Sequence, residues 1–131
     1  MEENFDVEII SPEKIIFSDE ASIITVPSYE GDMGILKNHI SIITFLRPGI
    51  IKIQKKENSF ENFFVEDGIL EYFGQNLAIL SSTVINVKNI SKIYIDNLTK
   101  ETEEKLTKTN ITDSERYILN HKKDALQNIN I

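Results

Sequence analysis

Apolar and polar residues alternate in short runs along the first two thirds of the chain, and turn residues separate the runs. Alternation with a period of two is typical of strands that bury one face. Roughly ten such runs occur, and that many short strands predict an antiparallel sandwich or barrel. The predicted strands are Phe5–Ile10, Lys14–Ser18, Ser22–Val26, Gly34–Leu36, Ser41–Leu46, Ile50–Lys55, Asn62–Glu66, Ile69–Tyr72, Leu77–Leu80 and Thr83–Val87.

The residues between these runs are suited to tight turns. Ser11-Pro12, Pro48-Gly49, Asp67-Gly68 and Gly74-Gln75-Asn76 supply the fixed or positive φ that such turns need. Pattern and turn chemistry therefore agree on a domain of strands over residues 1–87.

The last third of the chain loses glycine and proline, and its apolar residues recur at helical spacing. The first predicted helix runs from about Ser91 to Lys108. Thr112 and Glu115 have the spacing of a capping box, which marks the start of a second helix. The apolar stripes comprise Ile90, Tyr94, Leu98 and Leu106 in the first helix and Ile118, Leu119, Ala125, Leu126 and Ile129 in the second. Residues 88–131 are therefore predicted to form an antiparallel two-helix hairpin.

Polar residues interrupt both stripes, Thr102 in the first and Lys122 in the second. We therefore expect the hairpin to bury little area against the strands, and isolated helices of this length are marginal in water. A weakly held arm is easily displaced, which is the property that a two-state regulatory element needs.

Length and charge narrow the class of protein. The 131 residues suffice for one modest core. Residues 1–87 carry 14 acidic and 6 basic side chains, whereas residues 88–131 carry 7 acidic and 8 basic ones. Such an acidic body argues against a nucleic-acid partner, because nucleic-acid affinity depends on Lys and Arg. The absence of cysteine excludes disulfides, thiolate nucleophiles and cysteine-type zinc sites.

Targeting signals are also absent from the sequence. The acidic start Met1–Asp6 resembles neither a secretory signal nor an Arg-rich transit peptide. The longest apolar run, Ile40–Leu46, is far shorter than the roughly 20 residues of a membrane helix. We therefore expect a chain that is not exported and does not itself span a bilayer.

Candidate chemistry is sparse. His39 and His121 are far apart in sequence and show no spacing that brings two ligands to one metal. Glu30 and Asp32 place two carboxylates on one predicted turn, but adjacent acids on a turn are usually solvated. Nucleophile elbows and phosphate-binding glycine loops are absent from the sequence. We predict no catalytic residue, no metal and no cofactor, and interpret the acidic turn as an interaction surface.

Two other classes of protein fit the strand pattern. A free-standing β-sandwich module that binds carbohydrate or protein usually exposes aromatic residues on one face, whereas here Trp is absent and the four tyrosines are scattered. An enzyme of cupin or hydrolase type is disfavoured, because metal ligands and a nucleophile are missing. Sugar or metal binding by the isolated chain would favour one of these alternatives.

Three stretches together resemble a known family. They are V-P-x-x-E-G-D-M-G-I-L-x-x-H in Val26–His39, I-I-T-x-L-x-P-G-I-I-x-I in Ile42–Ile53 and D-G-I-L-E in Asp67–Glu71. In this order and spacing they resemble the epsilon subunit of F-type ATP synthases, whose mitochondrial counterpart is called delta. The resemblance covers Phe5 to about Val87, and the combination is specific although each stretch alone is weak.

The resemblance implies a ten-stranded β-sandwich followed by two antiparallel helices. It also implies a non-catalytic subunit of the central stalk that is clamped to the gamma subunit and rests on the polar loops of the c-ring. The helical arm of such a subunit folds onto the sandwich or extends along gamma towards the alpha/beta catalytic head, where it inhibits ATP hydrolysis. The implied location is peripheral, on the cytoplasmic face of the bacterial inner membrane.

The resemblance also assigns roles by position. The residues that match the turn facing the c-ring are Glu30, Gly31, Asp32 and Met33. Ser11 and His39 match positions that face gamma. On the second helix, Arg116, Lys122 and Lys123 are candidates for an inhibitory contact with acidic surface of the head, and a solvated helix face explains them equally well.

The chain departs from the family pattern at two places. Lys37-Asn38 stands where Pro-Gly is common before the histidine, and Asn tolerates the left-handed φ that such a turn needs. Some bacterial members bind ATP through I/L-D-x-x-R-A, whereas Ile95-Asp96-Asn97-Leu98 is followed here by Thr99-Lys100. Without the arginine the charge-assisted contact to phosphate is missing, so we do not predict ATP sensing.

Overall fold

The computed structural model of the chain describes residues 3–129, apart from the side chain of Glu57. Ten strands are followed by two helices, which confirms the predicted fold class. The strands are β1 Phe5–Ile10, β2 Ile15–Ala21, β3 Ile23–Ser28, β4 Gly31–Leu36, β5 Ile42–Leu46, β6 Gly49–Gln54, β7 Phe60–Val65, β8 Gly68–Phe73, β9 Asn76–Leu80 and β10 Ile85–Asn86. The helices are α1 Lys92–Leu106 and α2 Asp113–Gln127.

The strands form one strongly curled sheet that folds into two halves. One half has the order β10-β7-β6-β3, with β4 on the other edge of β3, and the second half has the order β5-β8-β9-β1-β2. The halves are joined where Ser28 of β3 pairs with Leu46 of β5. Neighbouring strands run antiparallel except β1 and β9, which run parallel.

A single core lies between the two halves. Alternate residues of each strand point inwards, as in β1, where Phe5, Val7 and Ile9 are buried. The inward residues of both halves belong to one cluster, with Phe63 of β7 and Tyr72 of β8 among its largest side chains. The period-2 pattern of the sequence therefore corresponds to a sandwich with its apolar faces turned towards each other.

Most predicted strand bounds shift by one or two residues, and β2 ends three residues later than predicted, at Ala21. β4 begins at Gly31, three residues earlier than predicted, because Tyr29–Glu30 alone form the turn and pairing with β3 resumes at once between Ser28 and Gly31. The last strand is shorter than predicted. Thr83 is drawn away from the sheet, since its hydroxyl accepts hydrogen bonds from the backbone N–H groups of Glu66 and Asp67.

Both helices begin at side-chain caps. The Ser91 hydroxyl accepts the N–H of Tyr94 at the start of α1. At the start of α2 the predicted capping box is present, with Thr112 and Glu115 each accepting the other's backbone N–H. These caps satisfy amides that have no partner within the helix, so the helix starts are fixed by the local sequence.

The two helices form an arm, residues 88–129, that packs on the outer face of β6, β7 and β10. The buried members of this contact, called here the arm cluster, are Phe64, Ile90, Ala125 and Leu126. Partly buried apolar residues surround them, namely Ile50, Ile85, Val87, Tyr94, Ile95, Leu98 and Ile129. The arm cluster is separate from the main core, and the two clusters share no residue.

Thr102 and Lys122 are not gaps in the buried stripes, and the interpretation of them as interruptions was wrong. Thr102 is fully buried, and its hydroxyl donates to the carbonyl of Leu98 at 2.7 Å. Lys122 is also buried, and its Nζ lies 2.6 Å from Oε1 of Glu66. Both polar groups are buried with a partner, which removes most of the cost of burying them.

Within residues 3–129, neither helix is long and apolar enough to cross a membrane.

Gly49 should tolerate no side chain. A Cβ at Gly49 would meet the ring of Pro27, lying 2.8 Å from its Cγ and closer still to its Cβ, and a proline ring cannot turn aside. We expect Gly49→Ala to lower the free energy of unfolding by about 1–3 kcal/mol, the usual cost of overpacking. Urea denaturation would measure it.

Gly34→Ala is the matched control, because a Cβ at Gly34 has no atom within 4 Å. Its urea midpoint should stay close to that of the original chain. Equal urea midpoints for the two variants would show that the close contact between residue 49 and the ring of Pro27 does not require a glycine.

Candidate functional site

The outer face of the second half of the sheet exposes a row of apolar side chains. Register pairs join Phe45 to Ile69, Ile69 to Leu80, Leu80 to Ile10 and Ile10 to Ile15, so the row crosses four strand boundaries. Four of these side chains have exposed fractions between 42% and 60%, the exception being Ile10. Single exposed apolar residues are common, whereas a continuous row is typical of a docking surface.

Further apolar residues extend this row along the same face. Ile43 lies two residues before Phe45 on β5, and Phe73 lies at the end of β8, and both are exposed. Because residues two apart on a strand share a face, they continue the surface towards the start of β5. We call the outward residues Ile10, Ile15, Ile43, Phe45, Ile69, Phe73 and Leu80 the apolar face.

Ser11 and His39, the two residues predicted to face gamma, lie at opposite ends of the sandwich. Ser11 directly follows Ile10, and its Oγ donates to the carbonyl of Lys14 at 3.1 Å, closing the β1–β2 turn. His39 lies at the other end, where its ring meets Tyr72 of β8 edge-on at 6.0 Å. Since Tyr72 belongs to the main core, this contact puts His39 at the end of the sandwich, and Ser11 alone directly follows a residue of the apolar face.

The loop that carries His39 is held by a side-chain network. Asn38 has a φ of 70°, so the left-handed position expected there is occupied by asparagine. Its Oδ1 accepts from Nε2 of Gln75 at 2.7 Å, and its N–H donates to Oε1 of Gln75. The hydroxyl of Tyr72 donates to the same Oε1 at 2.8 Å. No local pattern indicates this role for Gln75, because the pairing joins two turns that are far apart along the chain.

The predicted c-ring turn is tighter than the sequence indicated. Tyr29 and Glu30 occupy the turn, Gly31 follows with a φ of 120°, and Asp32 and Met33 already belong to β4. The expectation of two carboxylates on one turn is therefore wrong, since Glu30 alone lies on it. Asp32 is exposed and its Oδ1 pairs with Nη2 of Arg47 at 3.2 Å, while Met33 packs against the main core.

Helix α2 of the arm touches this turn. The hydroxyl of Tyr117 donates to the carbonyl of Tyr29 at 3.0 Å, and the two rings stack with centroids 6.0 Å apart and planes 16° apart. One turn further along α2, the ring of His121 meets Tyr117 edge-on at 4.4 Å. Sequence reasoning missed this contact, because no local pattern relates two tyrosines that are 88 residues apart.

A polar groove of about 610 Å³ lies between α2 and the sandwich. Its charged and polar lining includes Asp32, Arg47, Lys52, Asn62, His121 and Asp124. Burial lowers the pKa of His121 below its usual range, and the nearby guanidinium of Arg47 acts in the same direction against Asp124 and Asp32. The imidazole that packs on Tyr117 is therefore mainly neutral at physiological pH. The described part of the chain contains no group of three or more His, Asp or Glu side chains that is able to hold a metal ion.

The three candidate inhibitory residues have different surroundings. Arg116 is exposed. Lys123 lies 4.0 Å from a carboxylate oxygen of Glu103 on α1. Lys122 is directed at the sandwich, where it pairs with Glu66, and the two side chains are only 10% and 31% exposed. In the docked arm, Lys122 is thus a contact to the sandwich rather than a free cation.

Comparison with known sequences shows which protein family the chain is similar to. A profile of the ATP synthase, Delta/Epsilon chain, beta-sandwich domain matches residues 4–87. The ATP synthase epsilon chain of Pelagibacter ubique (strain HTCC1062) is 46% identical over 131 residues, covering 99% of this chain and 100% of that relative. The similarity therefore extends over both strands and helices.

Comparison with solved structures shows the same fold. A chain in the cryo-EM structure of Euglena gracilis mitochondrial ATP synthase, OSCP/F1/c-ring in rotational state 1, matches with a TM-score of 0.77 at 16% identity, covering 95% of this chain and 79% of that one. A chain in the structure of the Tetrahymena thermophila mitochondrial ATP synthase central stalk and c-ring matches with a TM-score of 0.60 at 18% identity, covering 96% and 93%.

Removing the carboxylate partner of Lys122 should loosen the arm. In Glu66→Gln the ammonium of Lys122 stays in a largely buried position without its opposite charge, which favours the undocked arm. Trypsin should then cut the arm about tenfold faster, because cleavage follows the population of the open form. Cleavage would be followed by mass spectrometry of the fragments.

Glu101→Gln is the control for the loss of a negative charge, since Glu101 pairs with Lys105 on the exposed surface of α1. Its arm should be cut at close to the original rate. Equal cleavage rates for the Glu66 and Glu101 variants would contradict a role of the buried pair in docking.

Proposed function

Because the chain belongs to the delta/epsilon family of ATP synthase subunits and is a rotor-stalk subunit of that complex, we propose that it is a non-catalytic coupling subunit. As a subunit of ATP synthase it is a peripheral part of a membrane-bound complex. We place it on the cytoplasmic face of the bacterial inner membrane, with residues 1–87 as the coupling domain and residues 88–131 as the arm.

The apolar face is the proposed docking surface for the gamma subunit. The observation that carries this proposal is the apolar row from Phe45 to Ile15, which crosses five strands and in which four of the five side chains are exposed. An interface core needs such apolar side chains, surrounded by a polar rim. Ser11 and His39 supply polar groups at the two ends of the sandwich, and the Gln75 network holds the His39 loop in one conformation.

The β3–β4 turn is the proposed contact with the polar loops of the c-ring. Tyr29 and Glu30 are exposed at its tip, and the carboxylate of Asp32 is exposed beside it. The turn is short and hydrogen-bonded at its base, so a force applied there passes to the sandwich without bending a long loop. Such stiffness suits a subunit that transmits rotation between the c-ring and gamma.

The arm is the proposed regulatory element. Its cluster is separate from the main core, so its release leaves the sandwich folded. Release also exposes Lys122, which then joins Arg116 and Lys123 as a cation available to acidic surface on the alpha/beta head. We propose that the docked arm permits ATP hydrolysis and that the released arm inhibits it.

The free-standing binding module is not favoured as an alternative. The family profile spans the strands, and a relative with 46% identity spans the chain through both helices. A module of independent function would not be expected to share its whole length with an ATP synthase subunit.

Phe45 should be needed for binding to gamma. Its side chain is 60% exposed in the middle of the apolar face, and aromatic anchors of this kind often carry much of an interface's binding energy. We expect Phe45→Ala to weaken the affinity for the cognate gamma subunit about tenfold or more. Surface plasmon resonance with immobilised gamma would measure this affinity.

Phe60→Ala is the matched control. Phe60 is 56% exposed, but it lies on the outer face of the other half of the sheet. Its affinity for gamma should be unchanged. If Phe60→Ala weakened binding as much as Phe45→Ala, the apolar face would not be the specific docking surface.

The state of the arm should set ATP hydrolysis by the assembled complex of alpha, beta, gamma and this chain. Glu66→Gln favours the released arm and should lower hydrolysis, whereas removal of residues 91–131 should raise it. Both changes together should give the activity of the truncated form, since no arm remains to be released. Steady-state ATPase assays on complexes with equal occupancy of this chain would compare the hydrolysis rates of the original, Glu66→Gln, truncated and combined forms. Unchanged hydrolysis on truncation would leave a purely mechanical coupler.

A further inference from the structure

We propose that the β3–β4 turn and helix α2 form one composite docking surface, on which c-ring binding and docking of the arm favour each other. The inference rests on the proposed contact between this turn and the c-ring. It adds that the arm is part of this surface and that the coupling between c-ring binding and arm docking is positive.

Tyr29 is held on both sides when the arm is docked. Its N–H donates to the carbonyl of Phe45 at 3.2 Å, and its carbonyl accepts the hydroxyl of Tyr117 at 3.0 Å. The stacked ring of Tyr117 also restricts the Tyr29 side chain. A docked arm therefore orders the tip of the turn before a partner arrives, and ordering in advance reduces the entropy lost on binding.

The two tyrosines leave room for a partner. Tyr29 is 44% exposed and Tyr117 is 38% exposed although their rings are stacked on each other. A loop that approaches the turn is thus able to contact both rings without separating them. Contact with both rings adds interactions that exist only with the arm in place, so the coupling is positive rather than competitive.

The arm also shields the charge pair behind the turn. Arg47, whose Nη2 binds Oδ1 of Asp32, lines the same groove as His121 and Asp124 of α2. The Arg47 side chain is mostly buried in this arrangement. Undocking α2 opens the groove to water, which weakens the hold of Arg47 on Asp32. The docked arm therefore stabilises the base of the turn as well as its tip.

The charges of the surface indicate the chemistry of the partner. Glu30 lies on the turn, Asp32 lies beside it in β4, and Asp113 lies one helical turn before Tyr117 on the same face of α2. An exposed pair of aromatic rings bordered by three carboxylates fits a c-ring loop that carries a positively charged side chain. Linkage then requires that c-ring binding stabilise the docked arm by the same factor by which the docked arm strengthens c-ring binding.

Amide hydrogen exchange of the gamma-bound full chain, with and without purified c-ring, tests the proposal. We expect the c-ring to slow exchange both in the β3–β4 hairpin and in α2. In Tyr117→Phe the additional slowing in α2 should be about fivefold smaller, which corresponds to one neutral hydrogen bond. Tyr94→Phe makes the same chemical change on α1 in the arm cluster and should retain the full slowing.

The remaining outcomes separate this inference from the proposed contact. Slower exchange in the hairpin with unchanged exchange in α2 would overturn the coupling and leave the c-ring contact intact. Faster exchange in α2 would show competition and overturn the coupling as well. Unchanged exchange in both segments would remove the c-ring contact itself, and the coupling with it. Equal behaviour of the Tyr117 and Tyr94 variants would exclude the tyrosine pair as the link.

Discussion

The buried hydroxyl of Ser28 fixes the point at which the curled sheet passes from one half to the other. Ser28 is fully buried and pairs with Leu46, while its Oγ lies 3.1 Å from Oγ1 of Thr44 and accepts the N–H of Glu30 at 3.2 Å. Side-chain bonds of this kind satisfy polar groups that the change of strand partner leaves free. The junction ties the turn at Glu30 to β5, which carries part of the apolar face. Both proposed partner surfaces are thereby set in a constant relation to each other, which a torque-transmitting subunit requires.

The separation of the main core from the arm cluster creates two levels of stability. The main core joins residues from both halves of the sheet, whereas the arm is held by the smaller arm cluster, the Lys122–Glu66 pair and the Tyr117–Tyr29 contact. Elements held by few contacts open at lower free energy than the global core. The polar contacts matter for a second reason, because they specify where the arm docks. Apolar contacts alone would permit α2 to slide along the sheet, but a buried ammonium has one carboxylate to reach.

Alternation and turn residues were sufficient to predict most strand positions, because period-2 burial leaves a direct record in the sequence. The capping box at Thr112 was equally readable, since its two partners are three residues apart. The sequence pattern did not indicate which outer face of the sandwich the arm covers. Ile50 and Phe64 on one half and Phe45 and Ile69 on the other follow the same alternation, yet the arm covers only the first pair. That choice depends on contacts between distant residues, as does the burial of Lys122, and a local pattern contains neither.

The length of α2 explains how distant contacts act together. The helix has 15 residues and is about 22 Å long at 1.5 Å per residue. It touches the sandwich at Tyr117 near one end and at Leu126 near the other. A helix of this length moves nearly as a rigid rod, so its two ends do not undock independently. Loss of the tyrosine contact at the turn therefore weakens burial of Leu126, and a partner that secures the turn strengthens it. In the proposed composite surface, the rigidity of α2 therefore connects the β3–β4 turn to the arm cluster.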